Sequence, residues 1–173
     1  MGLNTLPIKV KTTIPDFNRK NLKIKESFKE FLKNTHQEIS LMAKEQLKSS
    51  ILLKNAVATK TLLNSVYRRL IVNKVTDEFS SNIGFQKPAS AYAFFANYGR
   101  GAGKNPPFSA IQTWLESKSG GNVDDRLVWY VVHKIGAEGT KGAFFIEHAE
   151  PIIEKNKQII LSRRIAEFKR TIK

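Results

Sequence analysis

A chain of 173 residues with 41% hydrophobic and 25% charged side chains has ordinary globular composition and the length for one domain, which excludes wholesale disorder. It has no cysteine, so a disulfide framework and thiolate metal ligation are excluded. The net charge of +14 is uneven: residues 1–60 contribute +7, residues 61–150 only +2, and residues 151–173 contribute +5.

Residues 1–20, with Pro7, Pro15 and scattered Lys and Thr, show neither helical nor alternating periodicity and read as an arm. The opening residues lack an apolar signal core, and no apolar run approaches a bilayer span, so a soluble protein outside the general secretory route is expected. Residues 21–173 read as a single domain ending in a basic helix. From Leu22 the apolar side chains Ile24, Phe28, Phe31, Leu32, Ile39, Met42, Ala43 and Leu47 fall mostly three and four apart. This predicts a long amphipathic helix with a Lys and Glu outer face. The stretch 49–65 either continues that helix or breaks it, and a second short helix is expected. VYRRLIVNKV then reads as a strand, with a turn at Thr76, Asp77 and Glu78. FSSNIGF alternates as the return limb, with Phe79, Ile83 and Phe85 on one face. Two strands alone are marginal in water, so helices must cover them or further strands must join.

The least replaceable residues lie in 88–118. Tyr92, Phe94, Phe95 and Tyr98 form an aromatic turn, Gly99, Gly101 and Gly103 free the backbone, and Pro106 and Pro107 stiffen it again. Ser109 is expected to cap a helix with Ile111, Trp114 and Leu115 on its apolar face. Such a loop between rigid elements is where function concentrates. After Gly120 and Gly121, Asn122 and Asp124 offer caps for a helix over residues 126–139. Its apolar side chains Leu127, Val128, Trp129, Val131, Val132 and Ile135 predict burial, and Gly136 or Gly139 should end it. A glycine-rich turn carrying Phe144 and Phe145 leads to a last helix from about Pro151, with Lys155, Lys157, Arg163, Arg164, Lys169 and Arg170 on its exposed side.

No catalytic or cofactor chemistry emerges from the motifs. GRGAGK has the glycines and lysine of a phosphate loop, but its spacing is wrong and Lys104 is followed by Asn105 and two prolines. His36, His133 and His148 are far apart and form no metal-ligand pattern. Asp124 and Asp125 diverge on a helix and are explained by its start. No nucleophile motif occurs. Trp114 and Trp129 could stack on bases, yet aromatics at helical spacing are more simply core.

Four motifs in order resemble the tail-completion and head-to-tail joining (neck) proteins of tailed bacteriophages. They are Thr59 to Val66, Tyr92 to Gly99, Pro106 and Pro107 with Ile111 and Trp114, and Ile135 with Gly139, Thr140, Phe144, Phe145 and Ala149. Lys60, Asn97, Arg100 and Ala143 depart from that family's glycine, acidic residue, threonine and proline. The resemblance implies an α+β subunit whose small antiparallel sheet, built on a hairpin, packs against the long N-terminal helix and the C-terminal helices. It implies no catalysis, no cofactor and no metal. It further implies a hexameric or dodecameric ring of identical subunits, joining portal or connector to tail in the virion after assembly in the host cytoplasm, with no membrane contact. The hairpin would then serve within the ring. Tyr98, Gly99, Arg100, Gly101, Lys104, Pro106, Pro107 and Phe108 would contact a neighbouring subunit or ring, and Arg163, Arg164, Lys169 and Arg170 would face passing DNA or an acidic partner. The competing reading is a small basic nucleic-acid-binding protein.

Overall fold

The computed structural model describes residues 10–12, 22–54, 60–73, 78–87 and 89–171. The stretch expected as one domain is distributed over two compact units. One comprises residues 1–48, 66–84 and 147–173, and the other residues 49–65 and 85–146. The remainder of the arm and the expected turn at Thr76 and Asp77 lie outside the described residues.

In the first unit, α1 (Leu22–Leu53) realises the long amphipathic periodicity, and its last turn passes into the second unit. Leu32, Ile39, Ala43 and Leu47 are buried, as the spacing requires. The sheet has the order β1–β3–β2, formed by β1 (Val10–Thr12), β2 (Val66–Asn73) and β3 (Glu78–Phe85). The three residues of β1 lie inside the presumed arm and pair antiparallel with the hairpin, Val10 opposite Ser81 and Thr12 opposite Phe79. The hairpin thus gains its third strand from its own chain. Alternation places Phe79, Ser81 and Ile83 on the buried face of β3, while Ser80 and Asn82 are half-buried. Leu32 and Phe79 form a small core that Phe28, Phe31 and Leu70 flank. The protein is therefore α+β, with a small antiparallel sheet packed against the long N-terminal helix and a C-terminal helix.

That C-terminal helix, α6 (Phe145–Thr171), corrects the expected start at Pro151, because the proline lies inside it. Proline removes one N–H from the helical ladder, and neighbouring turns carry the helix through. The Phe168 ring packs 4.9 Å from Phe31 and 5.4 Å from Phe28, joining α6 to α1. Beside this aromatic contact, Glu38 of α1 accepts hydrogen bonds from both Arg163 and Arg164, the latter at 2.8 Å. Partial burial works against ionisation of Glu38. The hydrogen bonds and charges of the two arginines outweigh it and hold its carboxyl below the ordinary glutamate range.

Sequence periodicity assigns no partner to His36, yet this side chain is buried in the first unit. Its ring stacks 6.0 Å from Phe79, and its Nδ1 lies 3.3 Å from Ser81 Oγ. Burial lowers its pKa because the charged imidazolium loses hydration. The unfolded chain, with an ordinary histidine near 6.5, takes up the proton first, so this contribution to stability is complete above about pH 6.5 and is lost as pH falls toward the lower folded value. Chemical denaturation from pH 7.5 to 5 should show that decline, and His36→Leu should flatten it. An unchanged slope in the variant would assign the acid sensitivity to other groups.

The second unit holds α2 (Lys60–Asn64), the expected short helix, then α3 (Ser90–Tyr98), β4 (Gly99–Arg100), α4 (Phe108–Ser119), α5 (Asp125–Glu138) and β5 (Thr140–Lys141). Two local expectations change. Ser109 is not the cap of α4: Pro107 occupies that position, and its carbonyl accepts from Ala110 and Ile111 N–H. Proline at an N-cap is pre-set in φ and offers no side-chain acceptor. The helix α5 is also less buried than its composition suggests. Only Val128, Val132 and Gly136 are buried, whereas Leu127, Trp129 and Tyr130 are about half exposed or more, at 49%, 53% and 62%. Its ends follow the sequence: Asp124 caps by accepting from Arg126 N–H at 2.9 Å, and Gly139 terminates it with φ +76°.

Candidate assembly surface

The segment from Ala96 to Phe108 leaves α3, runs through an exposed loop and enters α4. It is fastened to residues 135–146, the turn that closes the unit. Two short strands make the first fastening: β4 and β5 pair antiparallel, Gly99 opposite Lys141 and Arg100 opposite Thr140. Backbone bonds extend it, with Ala143 N–H donating to Ala96 O at 3.0 Å and Phe144 N–H to Asn97 O at 2.9 Å. Further along, Gly103 N–H donates to Gly136 O at 2.8 Å.

Glycine is required where these backbones touch. Gly99 has φ +78°, and a Cβ there would overlap the Thr140 carbonyl, while one at Gly139 would overlap the Arg100 carbonyl. Gly142 lies equally close to the Asn97 carbonyl. In Gly101, by contrast, a Cβ would enter open space. The glycines of this loop therefore have different physical duties. Gly99 permits close packing, and Gly101 lies on the exposed crest.

Asn97 completes the fastening. It is fully buried at 0% exposure, and its Oδ1 accepts from Ile146 N–H at 2.9 Å in the first turn of α6. The first turn of a helix has N–H groups with no partner inside the helix. Here an amide 49 residues away in the chain supplies one acceptor.

The residues singled out in this loop share one continuous segment but differ in exposure. Tyr98 is partly exposed, with its ring 4.8 Å from Phe94. Gly99 is buried, and Arg100 is half-buried, its guanidinium donating to the Lys104 carbonyl across the loop. Gly101, Lys104 and Pro107 are exposed, Pro106 is half-buried, and Phe108 is half-buried with its ring 5.6 Å from Trp129. The arginine bridge turns GRGAGK into a closed loop whose own carbonyl takes up the cation.

The second set of residues lies on α6 in the other unit. Arg163 and Arg164 both pair with Glu38 and Glu167, whereas Lys169 and Arg170 are exposed in the last turn. Ion pairing leaves the first two with less positive field for an external anion. Among the described residues, no three His, Asp or Glu side chains converge as a metal-binding group. No helix there is long and apolar enough to cross a membrane.

Sequence reasoning passed over Asn97 except as a departure from a motif, and it missed β4 and β5. A two-residue strand carries no alternation to detect. The only local signal was glycine at 99, 139 and 142. No family model, curated protein or solved structure matches the chain.

Proposed function

We propose that the chain is a virion structural protein of the head-to-tail connector or tail-completion ring of a tailed bacteriophage, joining portal or connector proteins to tail proteins. The observation that carries this reading is convergence. Tyr98 and Gly99, Pro106 and Pro107, and the closing residues Ile135 to Phe145 come from separate motifs, yet all lie in one unit. There backbone contacts from Ala96, Asn97, Gly99, Arg100 and Gly103 to residues 136–144 close the base of an exposed loop that ends at Pro106 and Pro107. Such a loop, closed at its base and without a converging catalytic group on its crest, suits docking against another protein. Closed cyclic association of identical copies is the economical way to repeat that contact around an axis. DNA passing through such a ring would meet α6 as a weakly held, nonspecific cation surface at Lys169 and Arg170. The pairing of Arg163 and Arg164 with Glu38 weighs against a dedicated nucleic-acid reader.

The test is the mass of the purified protein in solution, alone and with stoichiometric double-stranded DNA at low and moderate salt. A closed oligomer indifferent to DNA is the expected result. A monomer that binds DNA tightly, and loses it steeply as salt rises, would overturn the proposal in favour of a nucleic-acid-binding protein. The loop gives a second expectation. Gly101→Glu should leave unfolding free energy within about 0.5 kcal/mol of the unaltered chain, because the position is open and surface substitutions are mild. It should nonetheless lower the yield of joined particles when virions assemble with the variant. Loss of folding instead would make the crest part of the core.

A further inference from the structure

We infer that the outer face of α3, together with Phe144, is the contact between copies of this chain; this deepens the ring reading by naming the surface through which identical subunits meet. The helix turns Ala93 and Asn97 inward, and Phe94, Phe95 and Tyr98 outward. Phe94 and Phe95 are 45% and 53% exposed, and their rings lie edge-on at 5.9 Å. Phe144 is also about half exposed and emerges beside the end of α3, held there by the bond from its N–H to Asn97 O.

Charge selects the occupant. Between Lys87 and Arg100 the chain has no charged side chain, in a protein of net charge +14. On α3 itself an acidic partner would find no cation to attract it. At the edge of the face lie Lys141, opposite Gly99, and Arg100, whose guanidinium is taken up by the Lys104 carbonyl, and most of the cations lie elsewhere in the chain. A second copy is repelled by those same cations, and an uncharged aromatic face is where two copies approach with least opposition. Exposed aromatics of this kind form the buried anchors of protein interfaces, and edge-on or offset rings pair readily with their own kind.

Phe144 supplies an independent sign of selection for contact over stability. It is the single described residue other than glycine with positive φ, at 51°. A phenylalanine there is strained, and neighbouring Phe145 is wholly buried while Phe144 faces out. Asparagine tolerates this backbone conformation better than phenylalanine. If Phe144 served only the fold, a residue with easier left-handed geometry would serve as well.

The experiment is sedimentation velocity and equilibrium on the full chain across concentration, at low and moderate salt, for the unaltered protein, for Phe94→Ser with Phe95→Ser, and for Phe144→Asn. The unaltered chain should associate, more strongly at moderate salt because screening removes like-charge repulsion. The double variant should weaken association by roughly tenfold or more while circular dichroism stays unchanged. Phe144→Asn should weaken association and yet raise the thermal midpoint. This opposite pair of signs is one that a merely structural phenylalanine would not give, and it keeps the test decisive if the double variant misfolds. A closed ring that persists unchanged in Phe144→Asn and in a folded double variant would overturn the inference and leave the ring reading standing. Association lost in these variants but stopping at a dimer would uphold the inference and remove the ring reading. A chain monomeric at every concentration and salt would overturn the inference.

Discussion

Gly99→Val is expected to unfold the second unit. At φ +78° any side chain is strained, and here the added Cβ would overlap the carbonyl of Thr140 and the amide of Gly142. The obstructing atoms are backbone, held by β4–β5 pairing, so they cannot swing aside as a flexible side chain would. Overlap in a packed site and a forced left-handed β-branched residue each cost on the order of 1–3 kcal/mol. Their sum, about 2–6 kcal/mol, is a large share of the stability of an ordinary domain. Guanidinium denaturation followed by fluorescence of Trp114 and Trp129 reads this unit directly, since both tryptophans belong to it. Gly101→Val is the control, because no atom lies within 4 Å of the position a Cβ would take. Equal stability of the two variants would refute the tight approach of β4 to β5.

Asn97→Leu should also be severe. The side chain is buried and its oxygen accepts the Ile146 N–H, so leucine would leave that donor without this acceptor at the start of α6. Stranding a fully buried donor costs about 1–3 kcal/mol. The Ile146 N–H is half-buried, which sets its loss toward the lower end, and the branched side chain adds misfit at the buried Asn97 position. Asn97→Asp keeps an acceptor of nearly the same shape and places negative charge at a helix N-terminus, where the dipole favours it. The expected order of stability is Asn, then Asp, then Leu, with aspartate losing ground below the carboxylate range as it protonates. Hydrogen exchange at the Ile146 amide gives the local readout. Fast exchange in the leucine variant alone is the predicted pattern, and equal protection in all three would assign the amide another partner.

Much of this fold is legible in local sequence because local rules govern it. The spacing of Leu32, Ile39, Ala43 and Leu47 marks α1, the alternation of Phe79, Ile83 and Phe85 marks β3, and Asp124 with Gly139 brackets α5. The misreadings arise where a distant neighbour decides. Leu127 to Val132 is apolar all round, so composition cannot tell which stripe will be covered. The stripe through Val128, Val132 and Gly136 is buried, with Asn105 lying against Gly136. Pro151 resembles a helix start because proline favours the first turn, yet a capped helix can begin six residues earlier. At the candidate surface, the exposed crest was visible in its glycines and prolines. Its fastening was not, because a buried amide acting 49 residues away has no spacing rule. The pairing of Arg163 and Arg164 with Glu38 escaped for the same reason, across 125 and 126 residues.

That remote amide also has a bearing on the order of events in folding. A helix ordinarily nucleates from its own sequence, at the cost of fixing one turn before any bond rewards it. The first turn of α6 instead depends on a loop of 49 residues having closed, and ring closure of that size is slow compared with the growth of a helix. The far end of α6 is free to form early. Its first turn should be among the last parts of the chain to set, arriving only once α3 and the β4–β5 clasp are in place.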